Sequence, residues 1–300
     1  MDIISDVLHT LRFTGNVFMR ANMAGEWGVH YQAIDLPVFH YLMRGTAWIA
    51  TENQKSFTKL EAGDVIFLPS GTGHFIASSP ESECTKMTIV PDETCMPTEI
   101  SDADAEQQVL CGVFLTKDDF QHPLFTSLPE LMHVKFSSIH SSEAFHPHVA
   151  HLIHTAISNG YGGTDILIDR LYEILFIQLL QQYFSGNRHV DSFYNAPAMT
   201  RVGDILKEIH LNPGKAWTLD EMAEGAYMSR SAFTANFRKC VGMSPMTYLT
   251  MWRMNKARSL IRNTGLSYRA IAKKVGYRTQ MGLNKAFKQQ FGYSPKELRK

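Results

Sequence analysis

The residues able to do chemistry in this chain form three sets: a run of histidines, four cysteines, and a spaced series of polar and basic side chains towards the C-terminal end. His140, His146, His148, His151 and His154 lie close together, and His151 and His154, three apart on a predicted helix, share a face as zinc ligands would. No cysteine and only Glu143 among the acids lies nearby, so a solvated helix with its lead-in loop is the better reading. Cys84, Cys95, Cys111 and Cys240 include no CxxC pair and make no disulfide framework, which points to a reducing cytoplasm. No Ser/His/Asp set, phosphate loop or spaced carboxylate pair is present, so an enzyme is not expected.

The third set is organised by an internal repeat. Phe233-x3-Phe237-x4-Gly242-x-Ser244-Pro245 recurs as Leu283-x3-Phe287-x4-Gly292-x-Ser294-Pro295 at an offset of 50, and Met222-Ala223 recurs as Ile271-Ala272 at an offset of 49. Each unit reads as helix, short turn, helix: Thr218–Glu224 then Ser229–Cys240, and Tyr268–Lys274 then about Arg278–Gln290. Small Ala223 and Ala272 let the paired helices cross closely. Ser229 is the predicted N-cap, and Gly242 and Gly292 end the second helices as C′ residues. Phe233 and Phe237, or Leu283 and Phe287, turn inward and leave a basic face free, a shape suited to the major groove. A predicted helix over Thr247–Arg262, carrying Arg253, Lys256, Arg258 and Arg262, joins the two units and fixes their spacing.

Charge separates the chain in the same place. Residues 1–198 hold 10 Lys+Arg against 23 Asp+Glu (net −13), and residues 199–300 hold 19 against 6 (net +13). A basic module of this kind favours a polyanionic partner. The start of the chain lacks a basic n-region and an unbroken apolar core, and the most apolar stretch, Ile166–Leu180, is interrupted by Asp169, Arg170 and Glu173, so no secretory signal or membrane span is expected.

In the acidic half, WGVHYQ, VFHYLM, AWIAT, VIFLP, HFIAS, KMTIV, VLCGVF and LMHVKF are short β-branched and aromatic runs between turn residues, which predicts an all-β sandwich or barrel. Helical spacing follows over Phe145–Ser158 and Thr164–Phe184. The second of these is apolar on more than one face, and one of its partners could be another subunit.

Gly63-x5-Pro69-x-Gly71-x2-His74 is a turn glycine, a strand, a Pro/Gly turn and a returning histidine. It resembles the second motif of the cupin barrels, where that histidine is a metal ligand. His40 is the only counterpart in the earlier segment, with no H-x-H and no following Glu, so no metal or other cofactor is expected, and His40 and His74 are instead candidate effector contacts. The Cys111-Gly112 strand and Leu128-Pro129 resemble the cupin-type sensor halves of one branch of the AraC/XylS transcription regulators. In that setting Cys84 and Cys111 are candidate sensors of oxidants or electrophiles, beside the plain reading of buried thiols.

Residues 201–299 resemble the AraC/XylS DNA-binding domain through Trp217-Thr218-Leu219, the MSRSAFTANFRKCVGMSP unit, the Arg253-to-Arg258 segment and the IAKKVGY…LNKAFKQQFGYSP unit. Leu283 stands where an aromatic is usual, and Gly282 sits in the middle of the second reading helix, at a cost of about 1 kcal/mol relative to Ala. The resemblance implies a cupin-like sensor and dimerisation domain over residues 1–185, a linker over 186–198, and an all-α double helix-turn-helix domain over 199–300. It implies a cytoplasmic homodimeric regulator of the activator kind, with double-stranded DNA, a small-molecule effector and RNA polymerase as partners. The exposed reading positions it implies are Arg230, Ser231, Thr234, Ala235 and Arg238, and then Arg278, Gln280, Met281, Asn284 and Lys285. Gln280 and Asn284 suit adenine, Lys285 guanine, and Thr234 or Met281 a thymine methyl. Arg230, Arg238, Arg278 and Lys288 suit phosphates. Two other readings stay open: a cupin enzyme with a DNA-targeting appendage, and a partner-binding protein that has lost DNA binding at Gly282 and Leu283.

Overall fold

The computed structural model describes residues 3–11, 13–54, 56–89, 100–116, 128–135, 162–186 and 200–298, with positions 123, 149, 152, 155 and 156. The chain divides into two compact units, Arg12–Asn187, and Arg188–Lys300 together with Met1–Leu11.

The unit Arg12–Asn187 is built on two five-stranded sheets. One has the order β1 (Phe13–Met23), β9 (Gln107–Thr116), β3 (Val38–Arg44), β6 (Val65–Leu68), β10 (Met132–Val134). The other runs β5 (Thr58–Glu61), β4 (Thr46–Thr51), β7 (His74–Ala77), β2 (Gly28–Tyr31), β8 (Thr85–Met87). Pairing is antiparallel except between β2 and β8. Alternation sends Val38, Leu42, Ile66, Val109 and Val113 of the first sheet, and Val29, Ile49 and Ile76 of the second, into one buried cluster. The all-β architecture expected from the short runs is present, in the cupin-like form that the Gly63-to-His74 resemblance implied. Two strands had no counterpart among those runs, β1 and β5.

Helix α2 (Thr164–Gly186) matches the predicted start and runs to Gly186. It presents Tyr172 and Phe176 to Phe39, Phe67 and Phe114, rings on the opposite face of the first sheet, at centroid distances of 5.1–5.6 Å. The Cys111-Gly112 pair takes its meaning here. A Cβ on Gly112 would lie 2.5 Å from both Phe39 and the Tyr172 hydroxyl, so the glycine is what lets α2 approach. Ile166, Leu167 and Ile174 of α2 stay exposed. The histidine run and most of the predicted helix Phe145–Ser158 lie outside the described residues.

The other unit is helical: α1 (Ile3–Leu11), α3 (Thr200–Leu211), α4 (Leu219–Gly225), α5 (Arg230–Val241), α6 (Pro245–Asn263), α7 (Tyr268–Lys274), α8 (Gln280–Phe291) and α9 (Pro295–Leu298). The predicted caps Ser229, Gly242 and Gly292 are present, and Thr218, Ser267 and Thr279 cap the other helices. Thr218 and Glu221 form a reciprocal capping box on α4, and the side chains of Ser229, Ser267 and Thr279 accept from the N3 amides of α5, α7 and α8. Gly242 and Gly292 close α5 and α8 in the left-handed region at φ 81° and 79°. Gly282 is not in the middle of its helix. It is the N3 residue whose amide reaches Thr279 Oγ1 at 3.0 Å, where the penalty for an interior glycine does not apply in full.

Among the described residues no helix is long and apolar enough to cross a membrane. Helix α1 was not foreseen. Its Ile3 and Val7 are buried and it packs on α3 and α6.

Candidate nucleic-acid interface and the buried histidine pair

Each reading helix is held by its inward stripe. Phe233 and Phe237 are fully buried, and Phe237 meets Tyr248 of α6 edge-on at 5.8 Å. Leu283 and Phe287 are fully buried with Met254, Ala257, Ile261, Ile271, Ala272 and Val275. Leu283 therefore fills the position of the usual aromatic as an ordinary core residue. The opposite faces are open: Arg230, Ser231, Ala235 and Arg238 on α5, and Arg278, Gln280, Met281 and Lys285 at or on α8, are exposed, with Met281 80% so. An exposed methionine near the helix N-terminus gives a polarizable apolar tip suited to a methyl group. Thr234 and Asn284 are half-buried, and Asn284 Oδ1 is buried without a hydrogen-bond partner.

Two features of this face were not read from the sequence. Both guanidinium nitrogens of Arg230 facing α4 are hydrogen-bonded to the Asp220 carboxylate, so this arginine carries a counter-ion. Tyr227, aligned by the offset of 49 with Gly276, is a non-glycine residue at φ 55°, and its ring is 82% exposed with the Arg201 guanidinium 5.7 Å away. The alignment of a tyrosine with a glycine in a tight turn was the available signal.

Three of the four basic residues of α6, Arg253, Lys256 and Arg258, are occupied internally. Arg253 donates to the carbonyls of Pro213 and Lys215, against Gly276 whose Cβ would lie 2.6 Å from the guanidinium. Arg258 is buried, bonded to Asn255 and stacked over Phe291 at 4.2 Å. Lys256 Nζ lies 2.5 Å from Asp6 Oδ1 of α1, and His210 Nδ1 lies 3.0 Å from Asp6 Oδ2. His210 Nε2 meets Tyr248 Oη at 2.6 Å, and its ring lies 4.1 Å from Trp252. Burial would raise the Asp6 carboxyl, but His210 and Lys256 outweigh it and hold the group below its ordinary value.

In the β unit, three of the four sensor candidates come together. His40 stands opposite Cys111 on β3 and β9, and His74 reaches across from the other sheet. His74 Nδ1 is 2.7 Å from the Thr72 carbonyl, His74 Nε2 is 2.7 Å from His40 Nε2, and His40 Nδ1 is 2.7 Å from Cys111 Sγ. The carbonyl can only accept, so Nδ1 of His74 carries its hydrogen, Nε2 accepts from His40, and Nδ1 of His40 accepts from the thiol. All three are buried, with the Tyr31 ring about 5 Å from both imidazoles, stacked on His74 and tilted to His40. Desolvation depresses both imidazoles, His74 to about 4 and His40 well below its ordinary value, with His74 adding to the effect on His40. Both are thus neutral at pH 7. Cys84 lies elsewhere, at the outer face of the second sheet, its thiol pushed up by burial. Among the described residues no group of three or more His, Cys, Asp or Glu is placed to hold a metal ion.

A pair of capped helix-turn-helix units with open reading faces, in a chain that also carries a two-sheet cupin-like unit, defines a DNA-binding regulator. Residues 2–185 match the family model described as cupin, and residues 222–300 match that described as helix-turn-helix domain. The chain belongs to the cupin-bearing, AraC-type transcriptional regulators. It is similar over its whole length to the HTH-type transcriptional regulator AlkR of Acinetobacter baylyi, 26% identical and covering 99% of that protein. It is likewise similar over its whole length to an HTH-type transcriptional regulator of Haemophilus influenzae, at 29% identity and 99% of that protein. The RCS-specific HTH-type transcriptional activator RclR of Escherichia coli is 23% identical across the whole of this chain and 97% of its own length.

Proposed function

We propose that this regulator reads DNA sequence through both helix-turn-helix units and that a small-molecule or redox signal received by the cupin-like domain changes its promoter occupancy. The observation that carries sequence reading is the exposed Gln280, Met281 and Lys285 on a helix whose other face is locked in the core. Arg238, Arg278 and Lys288 are proposed phosphate contacts, with Arg230 joining them once released from Asp220. Ser231, Thr234, Ala235 and Asn284 complete the reading surfaces. His40 and His74 are the proposed residues of the signal response. The thiol of Cys111, hydrogen-bonded to His40, is the better placed of the two redox candidates, since among the described residues the Cys84 thiol meets only the Ser82 carbonyl, 3.6 Å away.

The domain boundaries proposed along the sequence are 1–185, 186–198 and 199–300, with Ile3–Leu11 of the first segment packed in the helical unit. Exposed Ile166, Leu167 and Ile174 on α2 support a homodimer. The activator reading, with RNA polymerase as partner, is supported by the description of RclR as an activator. We place the protein in the cytoplasm and assign it no catalytic activity.

Selection of binding sites from a randomised DNA pool with the full-length chain tests this. Enrichment of a bipartite site with elements about 10 base pairs apart is expected, and Lys285→Ala relaxes the preference in one element only. Binding without enrichment, falling only with salt, would refute sequence reading.

A further inference from the structure

The outer face of the second sheet holds a cavity that DNA binding does not use. Alternation turns Ile49, Ile76 and Val29 inward and leaves Ala50, Phe75 and His30 facing out. Above them lies a cavity of about 300 Å³ lined by Ala50, Glu52, Phe57, Phe75, Ser82 and Cys84, with Thr51 and Gln54 completing it. The Phe57 and Phe75 rings are 6.5 Å apart at 60°, and His30 stacks on Phe75 at 4.2 Å while its Nε2 meets Glu52 Oε1 at 2.6 Å.

Two glycines clear the space for the polar side chains. A Cβ on Gly73 would lie 2.4–2.7 Å from the Glu52 carboxylate, and one on Gly28 would lie 2.7 Å from Cys84 Sγ. The thiol is neutral, so Glu52 supplies the one formal charge of the lining, and its Oε2 accepts from no donor among the described residues.

We propose that this cavity binds a small organic amine bearing an aromatic group, with the ammonium on Glu52 and the ring against Phe57 and Phe75. A carboxylate beside aromatic faces attracts a cation twice, by charge and by the ring quadrupole. The net −13 of residues 1–198 concentrates cations near this domain, and among the described lining residues an anion would meet no compensating charge. The cavity also has a route to the interior. His74 precedes Phe75 on β7 and points to the other side of the sheet, and Glu52 is among the charges its imidazole feels. A cation on Glu52 therefore acts on the His74–His40–Cys111 chain across one layer of backbone. This consequence, though not the binding itself, rests on the reading of the domain as a sensor.

The test uses the full chain with 2-phenylethylamine, and 2-phenylethanol and phenylacetate as neutral and anionic counterparts. Calorimetry should show saturable binding of the amine, binding of the alcohol weaker by about tenfold or more, and none of phenylacetate. The amine should also slow alkylation of Cys84 by iodoacetamide, read by peptide mass. Glu52→Gln should lose about tenfold in amine affinity, and Phe57→Leu, which leaves the Glu52–His30 pair alone, should weaken it severalfold. Equal binding of amine and alcohol, an amine affinity unmoved by Glu52→Gln and Phe57→Leu, or no saturable amine binding at millimolar concentration would overturn the proposal. Amine binding that leaves occupancy of a selected DNA site unchanged would keep the ligand site and refute the signalling role.

Discussion

Replacing Asp6 by alanine should destabilise the DNA-binding unit, although residue 6 lies at the far end of the chain from it. The carboxylate is 5% exposed and takes one hydrogen bond from Lys256 and one from His210. Breaking a buried charge pair from one side costs about 3–5 kcal/mol, because the remaining charge is left without a counter-ion. The Lys256 side chain keeps 22% of its exposure and can turn to water, which favours the lower end, about 3 kcal/mol. For a unit of this size that corresponds to a loss of roughly 10 °C or more in midpoint. Trp252 provides the assay: it touches both His210 and Lys256, so its emission reports unfolding of this unit. The acid limb offers a second reading. A carboxyl held below its unfolded value contributes stability that is present above that value and lost as pH falls through the folded one. Asp6→Asn should flatten that part of the profile. A change below about 0.5 kcal/mol for Asp6→Ala, the range of ordinary surface substitutions, would mean that α1 does not dock on α3 and α6.

The buried histidines make the β unit acid-sensitive in a different window. With His74 at about 4 in the folded state, the unfolded chain binds the extra proton first, so stability falls as pH drops from about 6.5 to about 4, by roughly 3 kcal/mol from this residue. Urea titrations followed by circular dichroism across that range should show the loss, and His74→Gln should remove most of it; a flat profile for the parent chain would refute a buried neutral imidazole. Asp220→Ala frees Arg230 for phosphate, so binding to random DNA should tighten severalfold and the salt slope steepen by about one. An unchanged slope in a salt-dependent gel shift would show that Arg230 does not reach the backbone.

The helical unit was the more legible half because its signals are local. Ser229 caps the helix that follows it, Gly242 and Gly292 end theirs, and the repeat checks each assignment against a second copy. The strand alternation was legible too, but β1 carries Gly15, Asn16, Arg20 and Asn22, and its strand character comes from pairing with β9. Spacing could flag His40, His74 and Cys111 one by one. Their joining depends on the register that sets His40 opposite Cys111 and on the crossing between sheets, neither of which is written in any one segment. Asp6 gave no signal because its partners are 204 and 250 residues away. Arg253 and Arg258 count towards the net +13 of residues 199–300, and only packing shows them to be bonded inward.

The docking of α1 also sets an order of assembly. Translation runs at about 5–20 residues per second, so the helix bearing Asp6 leaves the ribosome roughly 10–50 s before Lys256 is made. During that interval an amphipathic helix with two buried-type apolar residues has no groove to occupy. A growing chain therefore cannot present a finished DNA-binding unit, and neither can a message cut short before α6. Anything fused directly ahead of α1 would be carried to the side of the helix that spaces the two reading heads.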